Sequence, residues 1–137
     1  MKLDFIRRPL ILVFLIVSIV IADQLSKNLA GGFLPTFCNE GIAFGIKLGG
    51  LGFLPPVIVV LFAGYFLLAR SAYLSKFGFA LVFAGGISNL IDRFFKGCVL
   101  DFIDFGFWPA FNLADASICI GVGVLLVFMI FDWKGSR

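Results

Sequence analysis

The chain reads as an all-α membrane protein, a bundle of four transmembrane helices. Of its 137 residues, 61% are hydrophobic and only 14% charged, against about a quarter charged in soluble domains. The apolar residues also fall into four continuous runs, at about 9–25, 51–69, 77–92 and 110–131. Each run lies close to the roughly 17–25 residues of a membrane helix. Unbroken rather than alternating hydrophobicity speaks against a β-barrel, and short connections suit an antiparallel bundle. One bundle exhausts the length, so a single membrane domain over 1–137 is expected. The net charge of +3 is too small to imply a nucleic-acid partner.

Helix 1 has a competing reading. Lys2, Arg7 and Arg8 precede an apolar run that ends at Val20-Ile21-Ala22, the outline of a secretory signal peptide. The polar residues just beyond, Asp23, Gln24 and Lys27, belong instead to a cluster shared with other helices, and removing helix 1 leaves an odd number of spans. Helix 2 is apolar throughout. Helix 3, the shortest, carries Ala84, Gly85, Gly86 and Ser88; with Ser117 and Gly121 on helix 4, these small residues let helix backbones approach closely. Between helices 3 and 4, Gly97 to Trp108 is rich in β-formers and punctuated by glycine. It reads as a short extended element whose aromatics suit a membrane interface. Asp101 on this element then hangs over the start of helix 4, facing Asp115.

Basic residues orient the bundle. With four spans, the N-terminus, the 70–76 loop and the C-terminus share one face. That face holds Lys2, Arg7, Arg8, Arg70, Lys76, Lys134 and Arg137 of the 11 basic residues, so it is cytoplasmic. Asp23, Glu40, Asp92, Asp101, Asp104 and Asp115 lie at or beyond the opposite boundary. At about 1.5 Å rise per residue, Asp23, Asp92 and Asp115 stand roughly 21–24 Å above the cytoplasmic ends of their helices. The three share a depth near the outer interface.

An intramembrane carboxylate costs a few kcal/mol unless paired, protonated or hydrated, and marks a functional site by default. Asp115 is such a residue. Asn89 and Asp92 stand at i and i+3, with Arg93 at i+4, on one side of helix 3; Asn112 and Asp115 repeat the spacing at the start of helix 4. Considered alone, Asn112 is an N-cap and Arg93 a snorkelling anchor. Their common depth favours a shared polar centre. Asp104 reads equally well as a solvated surface acid.

The chain has no histidine, which excludes Ser-His, Cys-His and His-metal chemistry. Cys38, Cys98 and Cys119 lack CxxC spacing; Cys119 is expected to be buried in helix 4, and Cys38 and Cys98 can meet in an outer disulfide, with a free pair the favoured expectation. A Ser-Lys dyad is formally open through Ser26 or Ser117 with Lys27, Lys47 or Lys96. No loop offers a dense set of oxygen ligands, so neither metal nor cofactor is expected. Two close carboxyl groups in a low dielectric cannot both ionise; sharing one proton, they supply an acid and a base. That suits activation of water against an amide. These residues alone lead to a membrane aspartyl hydrolase, or to a small proton-coupled transporter.

The ordered blocks Asp23-Gln24-x-Ser26-Lys27, Asn39-x-Gly41-x-Ala43-Phe44, Gly85-x-x-x-Asn89-x-x-Asp92-Arg93, Val99-x-Asp101-Phe102 and Phe111-Asn112-x-Ala114-Asp115 resemble the bacterial lipoprotein signal peptidases (signal peptidase II). Each block is weak alone; the ordered set is specific. The resemblance implies an aspartyl endopeptidase of the cytoplasmic (inner) membrane that removes signal peptides from prolipoproteins, cutting before a diacylglyceryl-modified cysteine. It implies Asp101 and Asp115 as the catalytic dyad. Asp23, Lys27, Asn39, Gly41, Asn89, Arg93 and Asn112 become substrate-binding or site-supporting residues, and Asp92 a structural one. Of the outer segments, about 31–50 and 93–109, the stretches 31–50 and 97–108 resemble that family's small β-rich extracytoplasmic cradle, which grips substrate and globomycin-type inhibitors beside membrane lipid. Ile42 and Ser88 depart from the common pattern, where small residues and glycine are usual. The tail after helix 4 is short, and no extension of it is expected.

Overall fold

A computed structural model describes residues 2–41, 54–68 and 73–135. In chain order these form α1 (Lys2–Phe33), β1 (Phe37–Asn39), α2 (Leu54–Leu68), α3 (Tyr73–Lys96), β2 (Val99–Asp101) and α4 (Leu113–Gly135). Three of the helices, α1, α3 and α4, are long and apolar enough to cross a membrane, and α2 is a shorter apolar helix over its described residues. Residues 51–53 and 69, included in the expected second span, lie outside the described residues, as do Arg70, Ile42, Ala43, Phe44 and Lys47.

The helix ends differ from the hydrophobic runs for physical reasons. α1 continues two turns past the expected end at 25 because its buried face continues: Asp23, Lys27 and Ala30 follow one another at helical spacing and are all buried. α3 begins before 77 and ends after 92, at Gly97, whose φ of 77° and amide bond to the Arg93 carbonyl (3.1 Å) close the helix as a left-handed terminator. Arg93 therefore sits on the last turn of a helix. α4 starts at Leu113 rather than 110. Phe111, apolar enough to pass for a first helical turn, is instead bridged to Ile103, each amide donating to the other's carbonyl (2.9 and 3.0 Å).

α3 is the central element, packed against α1, α2 and α4. Its glycines set the approach. A Cβ on Gly85 would collide with the Ala114 carbonyl oxygen, one on Gly121 would lie 2.7 Å from the Gly78 carbonyl oxygen, and one on Gly86 would meet Val60 of α2 at 2.8 Å. Ala84 is fully buried, and Ser117 donates to the Leu81 carbonyl (2.8 Å), so these positions pack as expected. Ser88 does not simply pack: it is a hydrogen-bonding member of the site described below. Phe66 of α2 stacks on Phe79 of α3 at 4.7 Å between centroids. Elsewhere long apolar side chains face outward, Phe14 (74% exposed) and Phe131 (68%) among them.

At one end of the bundle β1 and β2 pair antiparallel, with Phe37 opposite Asp101, Cys38 opposite Leu100 and Asn39 opposite Val99. This register sets Cys38 diagonally across from Cys98 at a Cα–Cα distance of 5.5 Å, and the two are disulfide-bonded. Of the two expectations the disulfide holds and the favoured free pair does not, since strand pairing brings together sulfurs 60 residues apart. Cys119, expected to be buried, is exposed on α4.

Candidate active site

The site begins with a fully buried lysine. Lys27 and Asp23 are one turn apart on α1, both at 0% exposure, and their side chains pair at 2.6 Å. The same ammonium pairs with Asp92 of α3 (2.7 Å) and donates to Asn89 Oδ1 (3.1 Å). Asp23 in turn accepts from Ser88 Oγ (2.7 Å) and from the backbone amide of Ala114 in the first turn of α4 (2.8 Å). Asp92 accepts from Lys96 (3.0 Å) and from Gln24 Nε2 (3.1 Å). A buried charge is tolerable only when so paired, and here the pairing knots α1, α3 and the start of α4.

Above this knot stand two further acids. Asp101, on β2, is 2% exposed; Asp115, in the first turn of α4, is half-buried. Three asparagines aim at them. Asn89 Oδ1 is taken by Lys27, so its amide donates to Asp115 Oδ1 (2.7 Å). Asn112 Oδ1 caps α4 by accepting from the Asp115 amide (2.9 Å), and its Nδ2 donates to Asp101 Oδ1 (2.6 Å). Asn39 Oδ1 accepts from the Gly41 amide (2.9 Å), and its Nδ2 donates to Asp101 Oδ2 (3.0 Å). In each, a donor on the oxygen settles which way the amide faces. Asn112 is thus both a helix cap and a ligand of the carboxylate.

Arg93 also turns inward rather than snorkelling alone. Its guanidinium donates to the Gly41 carbonyl (2.7 Å), tying α3 to the turn after β1, and its charge acts on both Asp115 and Asp101. Burial pushes the Asp101 carboxyl above its ordinary value, with the charge of Asp115 adding to the rise; the bonds from Asn39 and Asn112 and the charge of Lys27 oppose it.

The expected residues therefore divide into two connected groups: Asp101, Asp115, Asn39, Gly41, Asn89, Arg93 and Asn112 around the acids, and Asp23, Lys27 and Asp92 in the knot beneath. Asp104 belongs to neither; it is exposed and accepts from the Gly106 amide (2.8 Å). Gln24 joins the cluster as expected; two further members, Ser88 and Lys96, are not anticipated as such. Gln24 and Ser88 are joined through Gln24 Nε2 (3.0 Å), and Lys96 is held by Asp92. The i, i+4 spacing of Asp92 and Lys96 was the available signal for the last. Ser26 donates to the Asp23 carbonyl (2.8 Å) and Ser117 to Leu81, so no Ser-Lys dyad forms among the described residues. Nor, among these, does any group of His, Cys, Asp and Glu have metal-binding geometry.

The family model described as signal peptidase (SPase) II matches residues 15–131. A lipoprotein signal peptidase of Caldicellulosiruptor bescii is 40% identical over 139 residues, covering 90% of this chain and 92% of its own. One from Syntrophomonas wolfei is 36% identical, covering 85% and 90%. A solved structure described as a bacterial membrane enzyme superposes with a TM-score of 0.82 at 29% identity, covering 92% of this chain and 91% of the other. A second, described in the same words, gives 0.75 at 30% identity.

Proposed function

This chain belongs to the signal peptidase II family, and we infer from that membership and from the site that it is a membrane endopeptidase removing signal peptides from prolipoproteins. It cuts before a diacylglyceryl-modified cysteine, and it does so as an aspartic peptidase. The observation that carries the aspartic reading is the pair of Asp101 and Asp115, each fixed by oriented asparagine amides while Asn112 touches both residues.

In this reading the pair carries one proton between its two carboxyl groups. The ionised member accepts a proton from water as the water oxygen attacks the scissile carbonyl; the protonated member gives its proton to the departing nitrogen. The two apparent ionisations belong to the pair. Asp23, Lys27 and Asp92 hold the helices in place, Lys27 also orienting Asn89, while Asn39, Gly41, Asn89, Arg93 and Asn112 hold acids and substrate.

The four helices and the strand pair act as one membrane domain with both termini in the cytoplasm. The site stands near the extracytoplasmic face of the cytoplasmic membrane. The basic residues around the termini support this, and so does the Cys38–Cys98 disulfide, a bond of oxidising compartments. The strand pair and its flanks form a cradle over the acids that takes the substrate and globomycin-type inhibitors. The half-exposure of Asp115 supports entry sideways from lipid, as a substrate with an acyl chain requires. The transporter alternative has no support among the relatives, and the acids gather at one end of the bundle.

Purified wild type, Asp101→Asn and Asp115→Asn should be compared on a diacylglyceryl-modified prolipoprotein. Both variants should lose nearly all cleavage while unfolding at the wild-type temperature, and a chelator should leave the wild type active. Substantial cleavage by either variant refutes the dyad.

A further inference from the structure

β1 and β2 are unequal partners. β2 is rooted in the bundle, with Cys98, Val99 and Asp101 buried. β1 is not: Phe37 is 46% exposed and Cys38 is exposed. A pair of three-residue strands has little stability by itself. Yet β1 carries Asn39, which donates to Asp101, and leads into Gly41, whose carbonyl takes Arg93. The disulfide joins the residue next to Asn39 on the outer strand to a buried residue of the inner segment, three positions before Asp101.

We propose that the Cys38–Cys98 disulfide is a positioning cross-link for the Asp101 carboxylate, holding β1 in register so that Asn39 keeps its bond to Asp101. The proposal rests on the reading of Asp101 as a reacting group. It makes the site sensitive to thiols. An external dithiol attacks the sulfur of Cys38, the exposed residue of the pair, Cys98 leaves as its thiolate and is protonated, and the dithiol's second thiol closes its own disulfide and releases Cys38. Two cysteine thiols and one oxidised reductant result.

Loss of the Asn39 bond removes a donor that favours the ionised Asp101, so its carboxyl rises further above its ordinary value. The charged groups acting on it from the other elements are Asp115 on α4 and Lys27 on α1, which stay in place, and Arg93 on α3, which loses only its bond to the Gly41 carbonyl. The pH profile of kcat therefore moves to higher pH.

The test compares oxidised and dithiothreitol-reduced wild type, Cys38→Ser/Cys98→Ser and Asn39→Ala. Each is assayed for kcat against pH and for backbone hydrogen exchange. Reduction should lower kcat by roughly ten- to a hundredfold, the usual effect of a misplaced reacting group, and shift the profile upward. Exchange should quicken at 37–39 but not in α3 or α4. The double serine variant should match reduced wild type, and Asn39→Ala should respond to reduction with no further loss. Equal fractional loss on reduction in Asn39→Ala and wild type overturns the proposal, as does unchanged exchange in β1. Absence of cleavage by oxidised wild type would tell against the functional reading, and the exchange result would still decide the cross-link.

Discussion

Asn112 carries two duties that a single substitution separates. Its oxygen caps α4 and its nitrogen holds Asp101. In Asn112→Ser the shorter side chain keeps a capping oxygen of comparable quality but lacks the amide that reaches Asp101. Thermal unfolding in detergent should therefore stay within about 1 kcal/mol of wild type, because the cap is retained. Prolipoprotein cleavage should fall by about a hundredfold, since geometry at the proposed reacting group is what is lost. Equal loss of stability and activity would make Asn112 a cap alone. Bonds of this kind are the part of the site that sequence shows least. The Asn89-x-x-Asp92 and Asn112-x-x-Asp115 spacings are visible because helical periodicity relates residues three and four apart. Asn39 and Asp101 are separated by 62 positions, and Lys27 and Asp92 by 65, so only the fold discloses that they meet. The buried ammonium illustrates why: no local rule selects Asp92 over the other acids as its second partner.

Helix packing governs where Asp115 stands. Gly85 of α3 lies directly beneath the carbonyl of Ala114, the residue before Asp115, and that turn is further held by the bond from the Ala114 amide to Asp23 (2.8 Å). Gly85→Ala must push the first turn of α4 outward, because a backbone carbonyl cannot swing aside as a flexible side chain can. Cleavage should drop at least tenfold, with a loss of stability of about 1–3 kcal/mol, the ordinary cost of overpacking. Gly123→Ala is the matched control: a Cβ there meets nothing within 4 Å, and both activity and unfolding should be unchanged. If Gly85→Ala is also silent, the close approach of α3 and α4 does not set the acid. The existence of all four helices was legible from hydrophobicity, whereas their ends were not. α1 outruns its apolar stretch because polar residues on its inner face find partners across the bundle. α4 starts late because Phe111 prefers an edge-to-edge bridge with Ile103. In sequence Ser88 reads as a small packing residue because its hydroxyl partners, Asp23 and Gln24, lie on another helix.

The bundle has an apolar belt and polar character concentrated at one end. Leu68 (90% exposed) and Phe14 lie outward along the helices, an arrangement that lipid stabilises and water does not. Asp23, Asp92, Asp101, Asp115 and the disulfide gather together at the end formed by the last turns of α1 and α3 and the start of α4. In the sequence, seven of the 11 basic residues belong to the termini and the 70–76 loop, and in the proposed topology that asymmetry sets orientation, with acids contributing little. The opposing arrangement, with the site in the cytoplasm, would expose the Cys38–Cys98 disulfide to reducing conditions. Orientation is therefore checked from both ends. A fluorescent protein that matures only in cytoplasm, fused after Arg137, should glow. In a Cys119→Ser background, Phe105→Cys should react with a membrane-impermeant maleimide added to spheroplasts, since Phe105 is 61% exposed at the site end. Labelling only after lysis, together with a dark fusion, would invert the bundle. It would also place the carboxylate pair on the side where no lipoprotein precursor presents its cleavage site after export.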